Sequence, residues 1–182
     1  IYETMLDDVS ICDELIEYYK NNTEQKTKGI TAGGPDINNQ GKVSTDVVIQ
    51  YSRHPAIQKY VRELTLNGIR PYSEKYGLNH SHKMGLKEPF NIQHYAPNEG
   101  YRMWHCERST SQSLQRALAW MTYLNTTENG DGSTYFSHYN IKIKPEIGKT
   151  LIWPAEWTHA HAGEQVNAGL KYIITGWMYF SL

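Results

Sequence analysis

Side chains suited to binding a metal ion lie close together in residues 101–107. His105 and Glu107 are two positions apart, so in an extended segment both side chains point to the same face. An imidazole and a carboxylate on one face can bind the same metal ion. Downstream, His159 and His161 offer a further imidazole, and they too share a face of an extended segment. This spacing alone leaves both histidines open as the third ligand.

Two histidines and one carboxylate that leave the other coordination positions open are typical of non-heme Fe(II) sites that use O2. Zinc is the alternative metal for a site rich in histidine. Without a metal, His105 and Glu107 would be two surface residues on a loop, and either downstream histidine would pack among aromatic side chains. The distinction therefore depends on the other residues that accompany the cluster.

Lys171 stands at the start of the apolar strand predicted over residues 172–180. A lysine that points into such a core is costly unless a negative group pairs with it. That group is either an acidic side chain of the protein or the carboxylate of a bound cosubstrate. The second alternative would place an organic acid near the metal site.

The composition narrows the class of protein. A chain of 182 residues has the length of one ordinary domain, and 18 basic and 19 acidic side chains nearly cancel, so we expect no nucleic-acid partner. No apolar run approaches membrane-spanning length, so we expect no membrane partner. Cys12 and Cys106 lie far apart and indicate free thiols in a reducing compartment, which predicts a cytoplasmic protein.

Two helices are predicted in the first half of the chain. Apolar residues recur at helical spacing over residues 10–21, with Ser10 as the expected N-cap. Pro55 occupies a favourable first-turn position for a second helix, and the turn residues at 67–71 are expected to end it.

A long polar segment rich in glycine separates these helices. Residues 21–42 are too many for a plain connection, so they form either a functional loop or a disordered one, and we expect a mobile lid. A strand is predicted after it, over residues 43–51.

From residue 90 onward the apolar pattern changes to short strands separated by Gly, Pro and Asn. The predicted strands cover residues 90–95, 117–124, 134–139, 140–144, 150–153 and 172–180. Regular short strands with such turns indicate a sandwich or a jelly roll. We therefore predict a mainly β fold with helical cover and a single domain over residues 1–182. Within it, residues 1–89 would give helical support and the lid, and residues 90–182 would form the jelly-roll core.

Further motifs occur in order around the metal-binding residues. Tyr95 precedes His105 by ten positions, Gly-Asp-Gly-Ser-Thr-Tyr-Phe covers residues 130–136, and His161 stands ten residues before Lys171. Together these features resemble the catalytic core of 2-oxoglutarate- and Fe(II)-dependent dioxygenases, nearest to their prolyl 4-hydroxylase-like branch in animals, algae, bacteria and bacteriophages. The ten-residue spacing to Lys171 is that of the branch and favours His161 over His159.

The resemblance implies a double-stranded β-helix and a set of roles. The implied residues are His105, Glu107 and His161 for Fe(II), Lys171, Tyr95, Tyr123 and Thr175 for 2-oxoglutarate, and Arg116 and Trp177 for the substrate pocket. Without that role, Trp177 would be a core residue and Arg116 would form a surface ion pair. The chain departs from the family at Glu107, because the family's carboxylate ligand is usually aspartate.

The implied reaction is hydroxylation of a substrate C–H bond, most simply 4-hydroxylation of a proline in a peptide or protein partner. O2 and 2-oxoglutarate would be consumed, succinate and CO2 released, and ascorbate would support turnover. One alternative keeps this chemistry for a free amino acid or another small molecule. A second alternative is a non-catalytic metal-binding jelly roll that serves as a binding module.

Overall fold

The computed structural model describes residues 1–31, 34–35, 41–50, 53–78, 83–86 and 89–180. Within these residues the α-helices are α1 (Ser10–Asn21), α2 (Pro55–Glu63) and α3 (Arg70–Lys75). The strands are β1 (Tyr2–Met5), β2 (Lys26–Lys28), β3 (Ile30–Thr31), β4 (Gly34–Pro35), β5 (Lys42–Val43), β6 (Thr45–Ile49), β7 (Met84–Gly85), β8 (Phe90–Tyr95), β9 (Gly100–Tyr101), β10 (Arg116–Tyr123), β11 (Thr134–Phe136), β12 (Ile141–Ile143), β13 (Lys149–Pro154), β14 (His161–Gly163) and β15 (Lys171–Phe180). No helix in the described ranges is long and apolar enough to span a bilayer.

Two antiparallel sheets dominate the fold. The larger sheet has the strand order β1-β13-β10-β15-β8-β6-β2, and β7 adds to the end of β15. The smaller sheet has the order β12-β11-β14. The predicted mainly β jelly-roll architecture is therefore confirmed, and neighbours in each sheet come from distant parts of the sequence, as in a Greek-key arrangement.

Strand β10 explains why part of the second half is almost continuously apolar. Its alternate residues Leu118 and Trp120 pack in the core between the large sheet and the helices. The residues between them, Ala119 and Met121, pack in a second core on the opposite face. A strand covered on both faces needs apolar side chains on both, which removes the usual alternation with polar residues.

The predicted helix over residues 10–21 is confirmed, but its start differs in detail. The N-cap is Val9, and Ser10 is already helical. The backbone N–H and the hydroxyl of Ser10 both donate to Oδ1 of Asp8, at 3.0 and 2.6 Å. Asp8 thus satisfies an N–H at the helix start, the task that the sequence assigned to Ser10.

The second helix begins at Pro55 as predicted but does not end at residues 67–71. A π-helical segment, Leu64–Ile69, continues it and leads directly into α3. Gly68 lies against the core, since a Cβ at this position would approach Cδ1 of Ile152 to 3.2 Å. Pro71 is the second residue of α3. Tertiary packing therefore outweighs the local breaker signal of Asn-Gly and Pro.

The N-terminal half also supplies strands that the sequence did not reveal. Strand β1 pairs with β13, and β2 pairs with β6, so both extend the large sheet. Strand β2 and the β3–β4 pair lie within the segment 21–42 that we expected to form a lid. Residues 32–33 and 36–40 of that segment lie outside the described residues. The division of the domain at residue 89 stays a prediction.

Candidate active site

The two histidines of the predicted cluster lie on adjacent backbone segments. His161 opens β14, and His105 pairs with it through an isolated antiparallel bridge. Each backbone N–H donates to the carbonyl of the other residue, at 3.0 and 2.9 Å. The imidazole ring centroids are 4.3 Å apart, so this backbone pairing brings the two rings next to each other.

Glu107 completes a three-residue cluster. Its Oε1 atom lies 3.3 Å from Nε2 of His161 and 3.7 Å from Nε2 of His105. The three ligand atoms lie within 4.8 Å of one another, and no other such group occurs in the described part of the chain. The residues named from the sequence thus converge, and His161 rather than His159 joins them.

The tautomers of the two imidazoles suit a metal ion. Nδ1 of His105 lies 2.9 Å from the carbonyl of Met103, and Nδ1 of His161 lies 2.9 Å from the carbonyl of His159. A carbonyl oxygen can only accept, so each Nδ1 carries a proton. Each Nε2 of a neutral ring then directs a lone pair toward the Glu107 carboxylate. Three facing electron-pair donors fit a divalent cation, and Nδ1 bonds of this kind are usual for histidine ligands.

The electrostatics agree with this arrangement. Burial, together with the neighbouring His161, lowers the pKa of His105 to about 4, so its ring is neutral near pH 7. Burial acts to raise the pKa of Glu107, but contacts with His161, His105 and the Trp177 indole outweigh it and lower the pKa to about 2. Near pH 7 the cluster therefore offers the neutral imidazole of His105 and the ionised carboxylate of Glu107.

Lys171 is buried beside this cluster, with 3% of its surface exposed. Its ammonium donates to the carbonyl of Gly132 at 2.6 Å and lies 5.2 Å from the ring centroid of Tyr95. Among the described residues, no carboxylate oxygen lies within salt-bridge distance of it. Burial lowers the pKa of Lys171 to about 8. A buried ammonium that has no carboxylate at salt-bridge distance in the described part of the chain is suited to an anionic ligand.

One cavity of about 550 Å³ connects the cluster to Lys171. Tyr95 and Thr175, both expected near a cosubstrate, line its wall. Tyr123 lies behind the wall, where its hydroxyl donates to Oγ1 of Thr134 at 2.7 Å and its ring centroid is 5.6 Å from the Lys171 ammonium. The space between the metal ligands and Lys171 can therefore hold a small dicarboxylate.

The two residues expected in a substrate pocket lie at the other side of the cluster. Nε1 of Trp177 donates to Oε2 of Glu107 at 2.7 Å. The guanidinium carbon of Arg116 lies 3.6 Å from the Trp177 ring centroid. Both residues line the cavity, but their nearest polar partner is Glu107, a contact the sequence did not suggest.

Further cavity residues were missed in the sequence. Tyr101 stacks on His105, with ring centroids 3.8 Å apart and planes inclined by 11°. Lys42 and Asp46 form a buried ion pair of 2.9 Å in the wall. A sequence signal existed only for Tyr101, which is four residues from His105 in the chain. The ion pair depends on how β5 and β6 lie against β9 and β8.

Comparison with known proteins gives a family match over the second half. Residues 90–179 match the family described as the 2OG-Fe(II) oxygenase superfamily. No curated protein sequence matches the chain.

Solved structures with the same fold cover nearly the whole chain. A viral collagen prolyl hydroxylase of Paramecium Bursaria Chlorella virus-1, in complex with 2OG, has a TM-score of 0.71 and 19% identity, covering 100% of this chain and 96% of that one. A Pseudomonas putida prolyl-4-hydroxylase has a TM-score of 0.72 and 14% identity, with coverage of 98% and 91%. A prolyl hydroxylase in complex with a hypoxia inducible factor oxygen degradation domain peptide fragment, from Trichoplax adhaerens, has a TM-score of 0.74 and 16% identity, with coverage of 97% and 80%. These similarities establish the fold.

Proposed function

We propose that this chain, whose residues 90–179 match the 2OG-Fe(II) oxygenase superfamily, hydroxylates a prolyl residue of a polypeptide. The observation that carries the proposal is the single cavity that joins the His105, Glu107 and His161 cluster to the buried Lys171. Such a cavity brings a metal with open positions and an anionic cosubstrate within reach of each other.

The metal and the cosubstrate supply the oxidising chemistry. When bound, Fe(II) and 2-oxoglutarate reduce O2 so that one oxygen atom enters the substrate C–H bond and the other enters succinate, with release of CO2. His105, Glu107 and His161 would hold the Fe(II). Lys171 would bind the distal carboxylate of 2-oxoglutarate through a charge-assisted hydrogen bond.

The remaining wall residues would keep water away from the reacting atoms. Tyr95, Met121 and Ile173 are nearly inaccessible to solvent and present apolar surface to the cavity. A dry cavity strengthens the Lys171 contact and limits side reactions. The Thr175 hydroxyl donates to the carbonyl of Trp120 at 2.9 Å, so its proton is not directed into the cavity.

A polypeptide substrate is supported by the shape of the cavity mouth. The mouth opens to solvent at Ile30, Ser109 and Gln112, all of which are exposed. An extended chain containing proline can enter such an opening with little loss of conformational entropy. The similar structures support proline as the target, since their names describe prolyl hydroxylases and one contains a peptide.

A free amino acid is the second candidate substrate, and one observation favours it. The buried Lys42–Asp46 ion pair places both charge signs in the cavity wall, as a zwitterionic ligand would require. Each partner already neutralises the other, so recognition would need them to separate. We therefore prefer the polypeptide.

Two measurements in sequence test the proposal. Anaerobic titration of the protein and Fe(II) with 2-oxoglutarate should produce a weak visible charge-transfer band. Peptides rich in proline and a set of free amino acids are then incubated with Fe(II), 2-oxoglutarate and O2, and masses are recorded. One added oxygen atom on a peptidyl proline is the expected result. Modification of amino acids alone would replace the prolyl assignment, and absence of both the band and succinate would overturn the oxygenase activity.

A further inference from the structure

Glu107 is held at both of its ends. Oε2 of its carboxylate accepts the Trp177 indole N–H at 2.7 Å, and its backbone carbonyl accepts Nη1 of Arg116 at 3.0 Å. The carboxylate is largely shielded, with 15% of the Glu107 side chain exposed. Two fixed donors therefore determine where this side chain begins and where it ends.

The two donors are also joined to each other. The Arg116 guanidinium lies over the Trp177 ring, at a distance that favours a cation–π contact. Nε of Arg116 donates to the Tyr179 hydroxyl at 3.2 Å. Trp177 and Tyr179 are alternate residues of β15, and Arg116 pairs with Tyr179 at the start of β10. Sheet register thus fixes the position of both donors.

This arrangement assigns different tasks to the two carboxylate oxygens. Oε2 faces the indole, while Oε1 faces the Nε2 atoms of both histidines. Glutamate has one more rotatable bond than aspartate, so more side-chain freedom must be lost to hold an oxygen at the metal. The Glu107 carboxylate extends from the two imidazoles to the Trp177 indole on β15.

We infer that Trp177 and Arg116 are positioning residues that hold Glu107 in the one orientation in which Oε1 can bind a metal beside His105 and His161. The inference rests on the proposed function only in taking these three residues as metal ligands. The sequence predicted Trp177 as a residue of the substrate pocket. The inference adds a role for its indole N–H, which is to orient Glu107. Hydrogen bonds to ligating carboxylates commonly affect metal affinity in this way.

A double-mutant cycle on metal affinity tests the inference without any turnover. Mn(II) binding is measured by electron paramagnetic resonance for the unmodified protein, Trp177→Phe, Glu107→Asp and the double variant. Phenylalanine keeps a flat ring under Arg116 and removes only the indole N–H. We expect Trp177→Phe to weaken Mn(II) binding by about 10- to 100-fold when Glu107 is present. In the Glu107→Asp background we expect the shorter side chain to lose the hydrogen bond to the indole, so the same change should weaken Mn(II) binding by less than about threefold.

Equal losses in both backgrounds, or no loss in either, would overturn the inference. If Trp177→Phe does not fold, the unmodified protein still answers the question through ¹⁵N-labelled tryptophan. The Trp177 indole resonance, identified by its proximity to Arg116, should shift when Zn(II) is added. The indole N–H of Trp120 has no hydrogen-bond partner in the described part of the chain and lies in the core between the large sheet and the helices, away from the cavity lining, so it provides an internal reference. We call this positioning of Glu107 by Trp177 and Arg116 the clamp. A Trp177 resonance that does not move at saturating Zn(II) would equally exclude it.

These readouts separate the clamp from the proposed function. Mn(II) and Zn(II) binding require neither 2-oxoglutarate nor O2. A protein that binds metal through the clamp but consumes no 2-oxoglutarate would refute only the oxygenase activity. Normal turnover with an unchanged Mn(II) affinity in Trp177→Phe would refute only the clamp.

Discussion

Nε2 of His159 lies 3.1 Å from the hydroxyl of Tyr139. Nδ1 of His159 is engaged by the Thr158 hydroxyl at 3.0 Å. Both ring nitrogens therefore have partners away from Glu107. His161, two residues later, begins β14 and is part of the cluster with His105 and Glu107. Of the two histidines, His161 is therefore the candidate ligand and His159 has a structural role.

This division predicts opposite effects of two alanine substitutions. His161→Ala should abolish succinate formation, as should His105→Ala or Glu107→Ala. Each should also weaken Mn(II) binding by more than about 100-fold, because loss of a ligand's hydrogen-bonding partner alone typically costs about 10- to 100-fold. His159→Ala should keep most activity. Succinate assays and metal titrations of the four variants provide the measurement. Retained activity in His161→Ala together with loss in His159→Ala would reverse the assignment.

Removal of the Lys171 ammonium should weaken the binding of 2-oxoglutarate and leave the binding of the metal unchanged. A charge-assisted contact in a buried site contributes about 1.5–3 kcal/mol, so Lys171→Ala should raise the 2-oxoglutarate dissociation constant by about 10- to 150-fold. Mn(II) affinity should be unchanged, because Lys171 is not one of the clustered ligand residues. Anaerobic calorimetry measures both constants, and an unaltered 2-oxoglutarate affinity would remove Lys171 from the site.

The lowered pKa of Lys171 predicts how cosubstrate affinity depends on pH. Burial lowers this pKa to about 8, and only the protonated form can pair with a carboxylate. As pH rises above 8, 2-oxoglutarate must bring a proton with it, so its affinity should fall by up to about tenfold per pH unit. Affinity should be nearly constant between pH 6.5 and 7.5, which lies below that pKa.

Lys171→Arg is the matched control for this pH profile. A guanidinium stays protonated throughout the range, so 2-oxoglutarate affinity should become nearly independent of pH between 7 and 9.5. Calorimetric titrations at matched ionic strength compare the two proteins. A profile that falls equally in both would mean that another group is titrating.

Substrate binding should order the segment 21–42. Ile30 and Thr31, which belong to this segment, line the cavity. A peptide in the mouth would lie against them and exclude water from the site. Hydrogen exchange of this segment should therefore slow when a proline-rich peptide is added to protein saturated with Mn(II) and 2-oxoglutarate. Equal exchange with and without peptide would contradict the role of a lid.

Close packing at Gly176 predicts a loss of stability on substitution. A Cβ at this position would lie 2.5 Å from the Trp120 ring and 2.7 Å from Cβ of Phe90. Gly176→Ala should lower the free energy of unfolding in urea by about 1–3 kcal/mol. At Gly163 the nearest atoms are at 3.6 Å or more, so Gly163→Ala should change it by less than about 0.5 kcal/mol.

Helices and strands were predicted correctly where residues close together in the sequence determine them. The strand predicted over residues 90–95 has the observed bounds, because Pro89 and Pro97 lie on either side of a segment in which apolar and polar residues largely alternate. Strand β1 was not predicted, since four residues gain strand structure only by pairing with β13, more than 140 positions away. The helix predicted to end near residue 67 continues because Gly68 packs on Ile152, a contact that no local pattern encodes.

The same limit applies to the site. The side chains of His105 and Glu107 share a face through simple alternation, which the sequence displays. The choice of His161 and the bond between Trp177 and Glu107 depend on the pairing of β14 with β11 and of β15 with β10. Register between distant strands follows from the whole core, so it could only be inferred from family resemblance. The roles of Tyr95, Tyr123 and Thr175 toward the cosubstrate stay predictions.

The bridge between His105 and His161 has a practical consequence for handling the protein. Two backbone hydrogen bonds hold the ligand-bearing segments together, so their spacing does not depend on coordination bonds. Removal of the metal ion by a chelator should therefore change the circular dichroism spectrum little, and the metal should bind again without a refolding step. Different divalent ions could be exchanged in a single preparation, which makes one batch of protein sufficient for catalytic, magnetic and diamagnetic experiments.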